Sequence, residues 1–377
     1  MMAFTNCNVV QGHCIIKKDI IVENGKISRL TELTEGAYKI IDCEGLFLAP
    51  GLIDTHIHGL EGYDILDSSS NSIREIAIRL AKRGITSFVP SIMTADSVVM
   101  KQALKNIDDA MSSSELAAEI LGIHLEGPYI SCKAAGAHDI SYIIEPSVQR
   151  YKDLVGEYEN RIRLITIAPE VSNAMELIRY LSSKGVVCAM GHTAATYEEA
   201  MIGIRNGMCH ATHLYNCMSG LRHRAPGVVG AVFDSDIFAE IIGDGVTVSS
   251  VAFNIACKQK GLDKIILVSD AIAIANQVEG KYWYNNKVVK VAENKAVTED
   301  GIIVGSMCTL DTTIKELLNK TKLDICDLVR IASENPARLI GMENKKGAIK
   351  PGNDADFILF NNDFDIERVY IQGRQLI

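Results

Sequence analysis

Five apolar runs in this 377-residue chain end in side chains able to hold a divalent metal or move a proton. The first is Leu52-Ile53-Asp54-Thr55-His56-Ile57-His58, closed by Gly59. Side chains two apart on a strand share a face, so His56 and His58 point the same way. Two neutral imidazoles on one face, beside a carboxylate, are a common grip for a divalent transition metal. Taken alone, the bland alternative is a pair of buried, hydrogen-bonded histidines. Another run ends in His124-Leu125-Glu126-Gly127-Pro128. A carboxylate closing an apolar strand is costly to bury without a partner, so Glu126 reads as a ligand and His124, one layer deeper, as core or support. The remaining exits are Gly191-His192-Thr193, His210-Ala211-Thr212-His213-Leu214-Tyr215-Asn216 and Ser269-Asp270-Ala271. His210 and His213 are three apart and face opposite sides of an extended strand. Only one is expected to enter a shared site, and His213 stands at the exit.

These exits form one site only if the fold gathers them. The apolar runs at Leu52–His58, Ile85–Val89, Ile120–Leu125, Ile162–Ala168, Val186–Met190, Cys209–Leu214, Phe238–Ile242 and Ile265–Ser269 alternate with helical patterns such as Ser72–Arg83, Asn173–Lys184 and Tyr197–Asn206. Eight β-then-α units predict a closed parallel (β/α)8 barrel, whose chemistry lies at the carboxyl ends of its strands. Residues 1–49 hold short β runs with a hairpin signal at Asn24-Gly25, and residues 347–377 have the same character. Neither is long enough for its own core. The two ends are expected to pair as a small β-sandwich domain beside a barrel spanning 50–346.

A formal charge of −9 and no basic stripe argue against a nucleic-acid partner. No apolar run approaches the roughly 20 residues of a membrane span, and the polar start does not read as a secretory signal, so the expected location is cytoplasmic. Ten cysteines without metal-type spacing read as buried apolar residues in a reducing compartment, with Cys217 kept open because of where it falls.

Taken together, His56-x-His58, His124-Leu125-Glu126-Gly127-Pro128-Tyr129, Gly191-His192-Thr193, His213-Leu214-Tyr215-Asn216, Arg224-Ala225-Pro226-Gly227 and Ser269-Asp270-Ala271 resemble the amidohydrolase superfamily. Within it the match is to the branch that removes the acetyl group from N-acetylglucosamine 6-phosphate. It runs nearly end to end, through Asn335-Pro336-Ala337-Arg338 and the stretch from Gly347 to Asp356. The carboxylated lysine that other amidohydrolases place on the fourth strand has no counterpart in Leu164–Glu170. The resemblance implies that Glu126, His192 and His213 hold one metal. His56 and His58, with Glu126 bridging and Asp270 nearby, would hold a second. One or two divalent ions per subunit are expected, as zinc, iron(II), manganese or cobalt. It further implies that Asp270 is general base and acid, that His138 polarises the acetyl carbonyl, and that Asn216, Cys217, Thr247 and Met307 contact substrate. Arg224 would reach a phosphate across a homodimer interface, where its fork geometry suits the group.

Two stretches depart from that pattern. Gly243-Asp244-Gly245-Val246-Thr247 carries threonine where the family usually has a histidine that contacts phosphate. Thr247 can hydrogen-bond an oxygen but brings no charge. The loop from Ile272 to Gly280, and again at Tyr284-Asn285-Asn286, replaces more glycine-rich versions. The expected activity is therefore release of acetate and glucosamine 6-phosphate from N-acetylglucosamine 6-phosphate in amino-sugar catabolism. The alternatives are a related substrate, such as the galacto epimer, or a catalytically silent binding protein.

Overall fold

The computed structural model describes residues 1–32, 38–67, 69–113, 117–285 and 287–377, so Asn286 lies outside the described residues. Eight parallel strands pair in chain order: β1 Leu52–Ile57, β2 Ile85–Met93, β3 Ile123–Glu126, β4 Ile162–Ile167, β5 Val187–Met190, β6 Met208–Ala211, β7 Phe238–Ile242 and β8 Ile265–Val268. Helices cover the outer face of such strands and the packed barrel interior buries the inner one, which is why they read as near-continuous apolar runs; all nine residues of β2 are buried. The helices between them keep polar faces outward. In Ala174–Ser183, Ala174, Leu177, Ile178 and Leu181 face in, and Thr196 with Glu199 forms a capping box at the start of Tyr197–Arg205.

The barrel closes between β8 and β1 in a way that also builds the site. The Asp270 N–H donates to the His56 carbonyl at 2.9 Å and the His58 N–H to the Ala271 carbonyl at 2.8 Å. Asp54, whose carboxyl burial pushes up to about 6, accepts from the Ser269 N–H at 3.2 Å. Its Oδ1 serves this seam.

The two chain ends share a six-stranded sheet, in which Phe47–Pro50 lies between Phe357–Phe360 and Asn8–Gln11. Asn24 and Gly25, both with positive φ, turn Asp19–Glu23 back onto Lys26–Thr31. Phe4 packs edge-on against Phe357 and Tyr370, from the other end of the chain, at 5.2 and 4.8 Å between ring centres. At the amino ends of the barrel strands, buried Lys346 lies 2.6 Å from Glu119 and 3.0 Å from Asp354, and also pairs with Asp356. Among the described residues no helix is long and apolar enough to cross a membrane.

The stretch after β8 is not the loop its sequence reads as. Gly280–Tyr284, Lys287–Ala292, Lys295–Thr298 and Ile303–Ser306 form an antiparallel meander. Its strands are short, which hides them, yet Val289 and Val291 are buried with Lys290 exposed between them. Asn285 donates to the Ala137 carbonyl at 2.9 Å, fixing the meander against the segment that carries His138.

Candidate metal and catalytic centre

Three strand exits turn their side chains into the barrel mouth through left-handed backbone: His192 at φ 46°, His213 at φ 28° and Asp270 at φ 51°. Such conformations cost free energy in non-glycine residues and cluster at functional sites. Gly191, just before the first, lets the chain pass close to β6, where a Cβ would lie 2.6 Å from Thr212.

Glu126 occupies the centre. Its Oε1 is 3.1 Å from the Nε2 atoms of both His192 and His213, which are 3.0 Å from each other. The Nε2 atoms of His56 and His58 are 3.1 Å apart, and each lies near Glu126, at 3.4 and 3.2 Å. Asp270 Oδ1 is 3.4 Å from His58 Nε2 and 3.6 Å from His56 Nε2. All four rings are buried.

Outer nitrogens fix the tautomers of three of them, whereas His213 Nδ1 has no partner. His58 Nδ1 donates to the Ser91 carbonyl and His192 Nδ1 to the Ala134 carbonyl, each at 3.0 Å. His56 Nδ1 donates to Glu240 at 2.6 Å. The neutral rings therefore aim Nε2 lone pairs at one another and at a carboxylate, an arrangement that demands protons or a cation between them. Burial opposes charging His58 and His192, but the Glu126 carboxylate and hydrogen bonds to it and its neighbours outweigh burial. They push His58 up to about 9 and His192 to about 10 when no cation is present. Ligands 2.0–2.1 Å from a tetrahedral ion sit about 3.3 Å apart, so the donor set fits divalent metal. No lysine or arginine lines this cavity among the described residues.

His138 is built differently. Its Nδ1 accepts the Thr94 N–H at 3.3 Å, which leaves the proton on Nε2. That atom is 3.3 Å from Glu126 Oε2, yet it has no hydrogen-bond partner. Burial, reinforced by His192, pulls the ring down to about 4 and keeps it neutral. The result is a free, inward N–H donor at the mouth.

Not every expected residue lies here. Asn216, Cys217 and Thr247 line the cavity, of about 80 Å³, together with Ile303, Val304 and Gly305 of the meander. The Thr247 hydroxyl already donates to Asp244 at 2.7 Å. Met307 is buried in the apolar cluster behind the meander and does not line the cavity. Arg224 is exposed on the Arg222–Ala225 turn, away from its own cavity.

His210 needs a correction. It faces inward like His213, because β6 stops at Ala211 and the chain then enters the left-handed turn, so alternation no longer holds. His210 Nε2 pairs with Glu240 at 3.0 Å, deeper in the barrel. His124 lies at that depth too, held by Ser91 at 2.9 Å and Thr166 at 2.8 Å. Glu240 carried the signal used for Glu126, a carboxylate inside an apolar run, but it sits mid-strand with no turn after it.

The barrel, its paired terminal sheet and the convergent histidines and carboxylate define a metal-dependent hydrolase class. The chain belongs to the amidohydrolase family, whose model matches residues 47–376. Among its relatives, N-acetylglucosamine-6-phosphate deacetylase of Bacillus subtilis (strain 168) is 34% identical, with 97% of this chain and 94% of that protein covered. N-acetylgalactosamine-6-phosphate deacetylase of Escherichia coli O157:H7 is 30% identical, with 87% of each covered. The crystal structure of N-acetylglucosamine-6-phosphate deacetylase from Pasteurella multocida superposes with a TM-score of 0.93, at 31% identity and 99% coverage of both chains.

Proposed function

We propose that this chain hydrolyses the acetamide of N-acetylglucosamine 6-phosphate to glucosamine 6-phosphate and acetate. The observation that carries the reading is Asp270 Oδ1 at 3.4 Å from His58, beside the Glu126 cluster and opposite the free N–H of His138. Glu126, His192 and His213 would hold one divalent ion, and His56 and His58 with Glu126 a second. A bound divalent ion lowers the pKa of water toward neutrality and polarises a carbonyl oxygen. Asp270 takes the proton released as the water oxygen attacks the acetamide carbon, then returns it to the departing amine. The Nε2–H of His138 donates to the acetyl oxygen as charge collects there. Asn216, Cys217 and Thr247 line the sugar side, with the Thr247 backbone and hydroxyl held by Asp244. A homodimer would bring the partner's copy of exposed Arg224 to the phosphate, and the reaction belongs to the cytoplasm, where sugar phosphates are retained.

The test is acetate release by metal-loaded protein from N-acetylglucosamine 6-phosphate, its galacto epimer and unphosphorylated N-acetylglucosamine. Preference for the first is expected. Preference for the galacto epimer would transfer the reading to that substrate, and no release from any would overturn it.

A further inference from the structure

We infer that Glu240 is a positioning residue that makes His56 a metal ligand and ties the two halves of the site together; this rests on the two-ion reading above. Glu240 lies mid-way along β7 and is fully buried. Its Oε1 accepts from His56 Nδ1 at 2.6 Å and from the His213 N–H at 3.0 Å. Its Oε2 accepts from His210 Nε2 at 3.0 Å, and its carbonyl accepts from the Leu214 N–H at 2.8 Å. One residue therefore sets a ring from β1 and the left-handed turn after β6, a member of each ligand group.

His56 differs in this from its neighbours. His58 and His192 are oriented by neutral backbone carbonyls, whereas His56 is oriented by a carboxylate. A carboxylate on the outer nitrogen fixes the tautomer, raises the basicity of the inner nitrogen and commonly governs metal affinity. Charge points the same way. Glu126, Glu240 and Asp270 bring three carboxylates to a region without lysine or arginine lining, one more negative charge than a single divalent ion neutralises. Glu240 thus favours a second cation at His56 and His58 twice over, through the ring it holds and through its charge.

The experiment reloads metal-free protein with zinc, counts bound ions by mass spectrometry and measures affinities by calorimetry. The parent should bind two ions per chain. Glu240→Gln keeps the shape and removes the charge; it should hold one ion at parental affinity and the other about 10- to 100-fold more weakly. Adding His56→Asn to it should cause no further loss beyond that of His56→Asn alone. His210→Asn, which removes only the far partner, should still bind two. Two ions at parental affinity in Glu240→Gln, or losses that simply add, would overturn the role. A parent that binds one ion while releasing acetate overturns it together with the two-ion reading and leaves deacetylation standing. If Glu240→Gln does not fold, Glu240→Asp, whose shorter arm cannot span His56 and His213, must show the same selective loss; two ions at parental affinity would overturn the role.

Discussion

Carboxylates gather at both ends of this barrel, and the two clusters are neutralised in opposite ways. At the amino ends of the strands, Glu119, Asp354 and Asp356 converge on Lys346, which is 3% exposed. At the carboxyl ends, Glu126, Glu240 and Asp270 converge on histidines whose inner nitrogens bear lone pairs. Grouped acidic side chains alone do not distinguish a metal site from a structural clamp. The chain supplies the cation at one end, and at the other it supplies only donors. The first cluster joins the terminal sheet to the barrel; the second presents a donor set that fits a divalent ion.

The sharpest way to break this comparison is to remove a carboxylate that a structural clamp would need for stability and a reactive end needs only for its chemistry. Asp270→Asn should retain the fold and its metal but lower turnover by about 10²- to 10⁴-fold, the usual worth of a positioned acid–base group. Turnover close to the parent's would take Asp270 out of the proton-transfer role. Next in size, His213→Asn should lower the metal content measured after dialysis, whereas His210→Asn should leave it intact. Equal losses from both would mean that the deeper histidine also binds the ion. At the other end, Lys346→Met leaves buried Asp356 without its cation, while Glu119 keeps Lys345 and Asp354 keeps Lys26, and should cost about 3–5 kcal/mol in denaturant unfolding. Its metal content should stay parental. A change in metal content with no change in stability would reverse the assignment of the two ends.

Legibility in the sequence follows from the same physics. The barrel strands are buried on both faces, so their apolar runs stand out, and β4, β7 and β8 fall within a residue or so of the expected spans. Strand exits could be read because a histidine or carboxylate after an apolar run has no ordinary reason to be there. The left-handed turns at His192, His213 and Asp270 could not, since nothing in side-chain spacing announces a positive φ at a non-glycine residue. Through such a turn His210 and His213 face the same way although three residues apart, against strand alternation. Ser91 and Ala134 orient metal-facing histidines partly through backbone carbonyls, which carry no residue signature at all. The meander was obscured for a different reason: its strands are four to six residues long and carry lysines on their open face.

The smallest effect concerns a residue that neither cluster contains. Arg224 lies exposed on its turn and does not line its own cavity, so on the proposed reading its contact with the substrate's phosphate is made in a second copy. Arg224→Ala should then raise KM for the phosphorylated sugar about tenfold, in line with loss of one charge-assisted hydrogen bond, and leave the unphosphorylated sugar unaffected. Equal effects on both sugars would make Arg224 structural. A mixed dimer separates the partner's arginine from a residue acting within its own chain. When Arg224→Ala chains are mixed with Asp270→Asn chains, the site that keeps Asp270 receives an intact arginine from its partner. Activity at low concentrations of the phosphorylated sugar should therefore recover in the mixture above the sum of the two separate proteins. Without such recovery, the phosphate is held by the rim of a single chain, and the reactive end is complete without a second copy.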